Sequence, residues 1–227
     1  MKPRLVVFDI AGTTLNDTAN SVNDSFRGAL KIHGISATQV EINAVMGYKK
    51  KTAIQTILTS LPNQESSPEL VEQIHDSFLE LINEYYRSSP DIAEIEGASQ
   101  LFGELKGAGI KVALDTGFSR STTDIILERT GWLQNGLIDA SKASDEVKDG
   151  RPHPFMIQAL MADLNISKSS SVVKVGDTPS DLMEGENAKC GLTVGVLYGT
   201  HTRSQLKDFH HDYLIEDITE LKTLIGL

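Results

Sequence analysis

The chain has 227 residues, 40% of them hydrophobic, enough for one main domain with a smaller one attached and too apolar for wholesale disorder. Its 21 basic and 31 acidic residues leave a formal charge of −10, which argues against nonspecific binding to nucleic acid or to an anionic membrane. The single cysteine, Cys190, excludes an internal disulfide and a cysteine-rich metal site.

Residues 5–8 form a short apolar run ending at Asp9, the pattern of a buried parallel strand and too short for a leader or a membrane span. A cytoplasmic address is therefore expected. From residue 16 to about residue 95 only helical patterns occur. Residues 21–31 end at Gly34, a second segment leads into Met46-Gly47, and a third starts at about Lys49. A long fourth opens at Ser67-Pro68 and carries Val71, Ile74, Phe78 and Ile82 at helical spacing. Pro90 and residues 91–96 read as a linker back to the main domain.

Residues 110–114 predict a second strand, ending at Asp115-Thr116. Ser121 is expected to cap a helix that stops at Gly131. Pro152 suits the first turn of a helix carrying Phe155, Ile157 and Leu160. Residues 172–175 predict a third strand before Asp177, and Pro179 opens the helix after it. Cys190, between Lys189 and Gly191, is expected to be inert packing. The fold class that follows is α/β: a doubly wound, mostly parallel sheet with a small all-helical cap inserted after the first strand. Residues 1–15 and 96–227 would form the core, and residues 16–95 the cap, a lid over the strand ends.

The polar residues gather at those ends. FDIAGTT, residues 8–14, puts a carboxylate at a strand tip beside a Gly12-Thr13 turn whose N–H groups could hold phosphoryl oxygens. VKVGDTPSD, residues 173–181, adds Asp177 and, one helical turn on, Asp181. Mg²⁺ takes a few carboxylates plus waters and phosphate oxygens, and Asp9, Asp177, the Ala11 carbonyl and Asp181 could supply the protein's share. Asp181 also reads as an ordinary first-turn acid favoured by the helix dipole. Thr116 and the Gly117 N–H are candidates for binding a phosphoryl group, and Arg151 is a permanent cation near it.

In this order, the four stretches resemble the haloacid dehalogenase superfamily. The resemblance implies Asp9 as nucleophile, Thr116 and Arg151 on the phosphoryl group, and Asp177 with Asp181 at Mg²⁺. Phosphatases of that superfamily usually carry a general acid two residues after the nucleophile, where this chain has Ala11. General acid–base help is worth roughly 10²–10⁴-fold, so its absence selects for different chemistry. Ala11, together with Arg151 where most members carry Lys, resembles the phosphonatase (phosphonoacetaldehyde hydrolase) subgroup. That subgroup cleaves a carbon–phosphorus bond through a Schiff base on a cap lysine. MGYKKK, residues 46–51, resembles its Met-Gly-x-x-Lys stretch and makes Lys50 the matching lysine, with Met46 beside the substrate. Ala53 stands where the subgroup has His, and Phe155 where it has Trp. The resemblance implies a small phosphonate or phosphorylated metabolite as partner; separately, the protein is expected to be a monomer or a homodimer. A phosphomonoesterase on the same core is the alternative, and a phospho-accepting regulatory protein a more distant one.

Overall fold

A computed structural model describes residues 3–17 and 20–227. Six strands form one parallel sheet in the order β3-β2-β1-β4-β5-β6. They are β1 (Leu5–Asp9), β2 (Lys111–Thr116), β3 (Ala140–Ala143), β4 (Val172–Gly176), β5 (Leu192–Val196) and β6 (Tyr213–Ile215). β1 lies between β2 and β4, and every one of its residues is buried, hence its unbroken apolar run. The chain runs one way along the sheet from β1 to β3 and the other way from β4 to β6. The crevice between β1 and β4 is therefore the topological switch point, the place where such sheets bind ligands.

Between β1 and β2 lie α1 (Ser21–Ile32), α2 (Gln39–Asn43), α3 (Lys50–Ser60), α4 (Pro68–Ser88) and the crossover helix α5 (Ala98–Gly107). After β2 come α6 (Arg120–Thr130), α7 (Phe155–Asp163) and α8 (Pro179–Asn187). One apolar cluster joins Val6 and Phe8 of β1 to Leu101 and Phe102 of α5, and continues into the α1–α4 helices. A smaller one packs Leu5 and Val7 against Ile157 and Leu160 of α7 on the opposite face, so both faces are covered. α1 buries its apolar face on α4, with Phe26 and Phe78 rings 4.6 Å apart.

The three expected strands form, each a residue or two longer at its polar end. Two helix starts differ. α6 is capped by Ser119, whose hydroxyl accepts from Thr122 N–H at 3.4 Å, and the expected cap Ser121 lies inside the first turn. The side chain two residues earlier reaches the orphan donor, because only a residue still in extended backbone can fold its oxygen back. α7 starts at Phe155, so Pro152 lies in the turn before it, after a cis peptide bond from Arg151. No helix among the described residues is long and apolar enough to cross a membrane.

Candidate active site

Asp9 ends β1 and Asp177 directly follows β4, on the two sides of the switch point. The chain turns sharply after Asp9: Gly12 N–H donates to Leu15 O at 2.8 Å and Thr13 N–H to Ile10 O at 3.4 Å. These two amides close the turn on itself, so they are not the free phosphoryl donors that the motif suggested. Both residues serve Asp177 instead. Thr13 Oγ1 donates to Asp177 Oδ1 at 3.2 Å, and a Cβ on Gly12 would stand 2.6 Å from Asp177 Oδ2. Thr200 N–H donates to Asp177 Oδ2 at 2.7 Å, and Tyr198 Oη donates to Thr13 O at 2.9 Å. The loop of residues 195–202 thus closes the site from the β5 side.

Carboxylate oxygens of Asp9, Asp177 and Asp181 lie within 4.8 Å of one another, and all three residues are buried. Burial is the largest influence on Asp9 and pushes its carboxyl up to about 8; Arg151 opposes this, while Asp181 and Asp177 add to it. Burial followed by Asp181 pushes Asp177 up to about 6. Two buried acids that resist ionisation are what a divalent cation would relieve, so the donor set fits Mg²⁺. Asp181 is already committed in part. Its Oδ2 accepts from Thr178 Oγ1 at 2.5 Å in a capping box at the start of α8, and its Oδ1 lies 3.1 Å from Arg151 Nη1. Both sequence readings of Asp181 therefore have a structural counterpart.

Arg151 is 2% exposed and sends Nη1 to Asp9 Oδ1 at 2.6 Å. Thr116, at the end of β2, accepts from Phe118 N–H at 3.2 Å, which leaves its own hydroxyl hydrogen to donate. Asp9, Ala11, Met46, Lys50, Thr116 and Gly117 all line one small cavity of about 20 Å³.

Lys50 begins α3 and is 4% exposed. Its Nζ lies 4.7 Å from the Phe118 ring centroid, with Phe26 and Phe78 at 5.6 and 5.8 Å, and donates weakly to Tyr48 O at 3.4 Å. Burial lowers this ammonium to about 7; Asp9 works against the shift and Arg151 with it. The neighbouring lysines are occupied elsewhere. Lys49 Nζ donates to Val147 O at 3.2 Å, and Lys51 pairs with Glu72 at 2.6 Å. The cause of the shift is thus desolvation, with Arg151 adding to it and the adjacent lysines playing no part.

The Met46–Lys50 segment is docked by close backbone approach. Ser180 Oγ donates to Met46 O at 3.1 Å. A Cβ on Gly117 would stand 2.5 Å from Tyr48 O and 2.6 Å from Gly47 O. Gly47 itself has φ +79°, a left-handed turn that aims Lys50 back toward the strand ends.

Sequence reasoning missed Lys174 and Glu184 and placed Asp115 at a strand end without a role; all three are at 0% exposure and gathered around Arg151. The available signal was a lysine inside the apolar run VVKVG, since a charge in a central strand must be paired. His201, also buried, borders the site beside Asp177, whereas His153 is exposed and stacks on Phe155 at 5.8 Å. Burial pushes the Cys190 thiol up to about 12, in keeping with an unreactive side chain.

Residues 6–194 match the haloacid dehalogenase-like hydrolase family. The chain belongs to that family and is a hydrolase. It is 29% identical to phosphonoacetaldehyde hydrolase from Bacillus cereus, across 88% of this chain and 78% of the relative. Among solved structures, it resembles a phosphonoacetaldehyde hydrolase-like protein from Oleispira antarctica, with TM-score 0.88, 23% identity, and coverage of 100% and 92% of the two chains. A predicted phosphoglycolate phosphatase from Haemophilus somnus superposes with TM-score 0.80 at 18% identity, covering 99% of this chain and 98% of that one. These two likenesses establish the fold.

Proposed function

We propose that the protein cleaves the C–P bond of phosphonoacetaldehyde or a related 2-oxoalkylphosphonate, with Asp9 taking the phosphoryl group and Lys50 forming a Schiff base. The observation that carries this reading is Lys50 itself: a buried lysine, near neutrality, lines the same cavity as Asp9 and Ala11. Neutral Lys50 would attack the aldehyde carbon, and loss of water with uptake of one proton from solvent would leave a protonated imine. Asp9 would then attack phosphorus while the C–P electron pair moves into the imine, giving an enamine. No alkoxide leaves, so no acid is needed at position 11. Protonation and hydrolysis of the enamine would release acetaldehyde and Lys50, and water would cleave the aspartyl-phosphate. Thr116 and Arg151 would bind the phosphoryl oxygens.

Asp9, Asp177 and the Ala11 carbonyl would hold Mg²⁺, with Asp181 beside them, and bound Mg²⁺ would offset negative charge on the phosphoryl group. We expect chelation to abolish turnover and Asp177→Ala to raise the Mg²⁺ requirement about tenfold or more, since even outer-shell changes cost roughly 10–100-fold. Full activity after exhaustive chelation would overturn the metal assignment. The helical stretch of residues 16–95 serves as the cap on this reading, with residues 1–15 and 96–227 as the core. A cavity of about 20 Å³ holds about one water, so the two must part to admit substrate.

The decisive assay is release of phosphate and acetaldehyde from phosphonoacetaldehyde. The second reading, a phosphomonoesterase on a small phosphorylated metabolite, is favoured by Ala53. It lies one turn from Lys50 on α3 and gives the lysine no polar partner there. Ala11→Asp separates the two. It restores an acid for alkoxide leaving groups and adds charge and bulk beside Lys50. Alkyl phosphate hydrolysis should rise about tenfold, a fraction of the roughly 10²–10⁴ available, while phosphonoacetaldehyde cleavage falls. A rise in C–P cleavage would show that Ala11 is unrelated to that chemistry.

A further inference from the structure

Beneath Asp9 lies a buried charge network whose oxygens are shared in an unequal way. Arg151 Nε donates to Glu184 Oε2 at 2.9 Å, Nη1 lies 3.1 Å from Asp181 Oδ1, and Nη2 contacts Asp115 Oδ1 as well as Asp115 O at 2.8 Å. Lys174 Nζ reaches the same three carboxylate oxygens: Asp115 Oδ1, Asp181 Oδ1 at 3.1 Å, and Glu184 Oε2 at 3.2 Å. Of the four carboxylate oxygens that Arg151 touches, Asp9 Oδ1 is the one that Lys174 does not.

That division has an electrostatic consequence. Asp115, Asp181 and Glu184 compete with Asp9 for the guanidinium, Asp181 for the same Nη1, and strongly so where water is excluded. A second cation on the same three oxygens takes up much of their field and leaves more of Arg151's attraction for Asp9. Lys174 sits mid-strand in β4, flanked by β1 and β5, where a charge is tolerated only when paired. Its Nζ is paired three times over and none of its ion pairs is with Asp9 or Asp177, so apart from a direct Coulomb pull on Asp9, the smallest of the influences on that carboxyl, its effect on the chemistry passes through its neighbours.

We infer that Lys174 is a positioning residue: by sharing Asp115, Asp181 and Glu184 it keeps Arg151 turned toward Asp9 and the phosphoryl group that arrives there. This rests on the reading of Asp9 as the nucleophile. Asp115 and Glu184 are the other half of the device, since they hold two of the three guanidinium nitrogens.

Lys174→Met keeps the aliphatic stem and removes the charge. With Mg²⁺ present, kcat for phosphate release should fall roughly 10–100-fold, and inhibition by orthovanadate should weaken in step, because Arg151 is drawn away from the oxyanion. Burial and then Asp115 push the Glu184 carboxyl up to about 8, so above that pH the double variant Lys174→Met/Glu184→Gln removes one cation and one anion, and there the buried charge balance and the thermal midpoint should recover. Two acids would still pull on Arg151 unopposed, so kcat and orthovanadate inhibition should stay impaired. Wild-type kcat and orthovanadate inhibition in either folded variant would overturn the inference. So would a double variant that regains kcat together with its thermal midpoint, which would make Lys174 a charge balancer alone. Asp9→Asn, measured alongside, separates the failures. If it remains active, the nucleophile reading has failed; if it is dead while both Lys174 variants behave as wild type, only the positioning role has.

Discussion

Asp9→Asn is expected to lower turnover of any substrate at least roughly 10³-fold, the scale on which a missing nucleophile is felt, with circular dichroism unchanged and no loss of thermal midpoint in the absence of metal. The amide cannot form an acyl phosphate, but it keeps the size of the carboxylate and an oxygen acceptor for Arg151 Nη1, now 2.6 Å away. Asp9 is buried with its carboxyl pushed up to about 8 by desolvation. A neutral amide in that place relieves a desolvation cost, so the fold has no reason to suffer. For Asp9 the folded value lies above the ordinary carboxylate value of 3.8. By linkage, this group without metal contributes stability at acid pH that is lost as pH rises toward 8. Metal-free Asp9→Asn should therefore be less destabilised than the parent between about pH 5 and 8. Mg²⁺ should stabilise the parent more than the variant, because it reclaims the ionised Asp9. Retained activity in a correctly folded variant would remove Asp9 as nucleophile.

The parts of the fold legible in the sequence were those where burial writes directly into residue type. β1 and β4 are covered on both faces, so Leu5–Asp9 and Val172–Gly176 read as apolar runs with polar tips. β3 is ASKA, mostly half-exposed at the sheet edge, and carries no such signature. The start of α6 was misplaced because Ser119 and Ser121 are chemically equal and differ only in backbone conformation, which the sequence does not spell out. The strand-end residues were found by motif and come together: Asp9, Asp177, Thr116 and Arg151 converge although they are spread over most of the chain. The Gly12-Thr13 amides were misread, since a Gly-Thr turn looks the same whether its N–H groups bond inward or wait for a ligand. The joint role of Asp115, Lys174 and Glu184 was missed for a different reason. Each is one charged residue in an otherwise ordinary element, and only the fold shows that they meet on Arg151.

Lys50→Arg is expected to abolish C–P cleavage and, with it, covalent trapping by borohydride. A C–P bond breaks heterolytically only if carbon can accept the electron pair, and a protonated imine on the adjacent carbon is such a sink. Arginine keeps a positive charge but cannot form the imine, so retained electrostatics would not rescue the reaction. Lysine at its ordinary value of 10.5 is almost wholly protonated near pH 7; burial among Phe26, Phe78 and Phe118 lowers Lys50 to about 7, where a large fraction is free amine. The amine is the reactive form, so the rate of imine formation should climb as pH rises through about 7 and then level off. Treatment with phosphonoacetaldehyde and borohydride should inactivate the enzyme and add the two-carbon skeleton to one lysine. Peptide mapping should place it on Lys50, because Lys49 is held by the Val147 carbonyl and Lys51 by Glu72. An adduct confined to Lys49 or Lys51, or full C–P cleavage by Lys50→Arg, would overturn the assignment. If no oxoalkylphosphonate yields an adduct while phosphate esters are hydrolysed well, the buried lysine is a binding group for a phosphomonoesterase. Lys50→Arg should in that case alter KM for the ester far more than kcat, since a cation that binds without reacting acts on substrate and transition state alike.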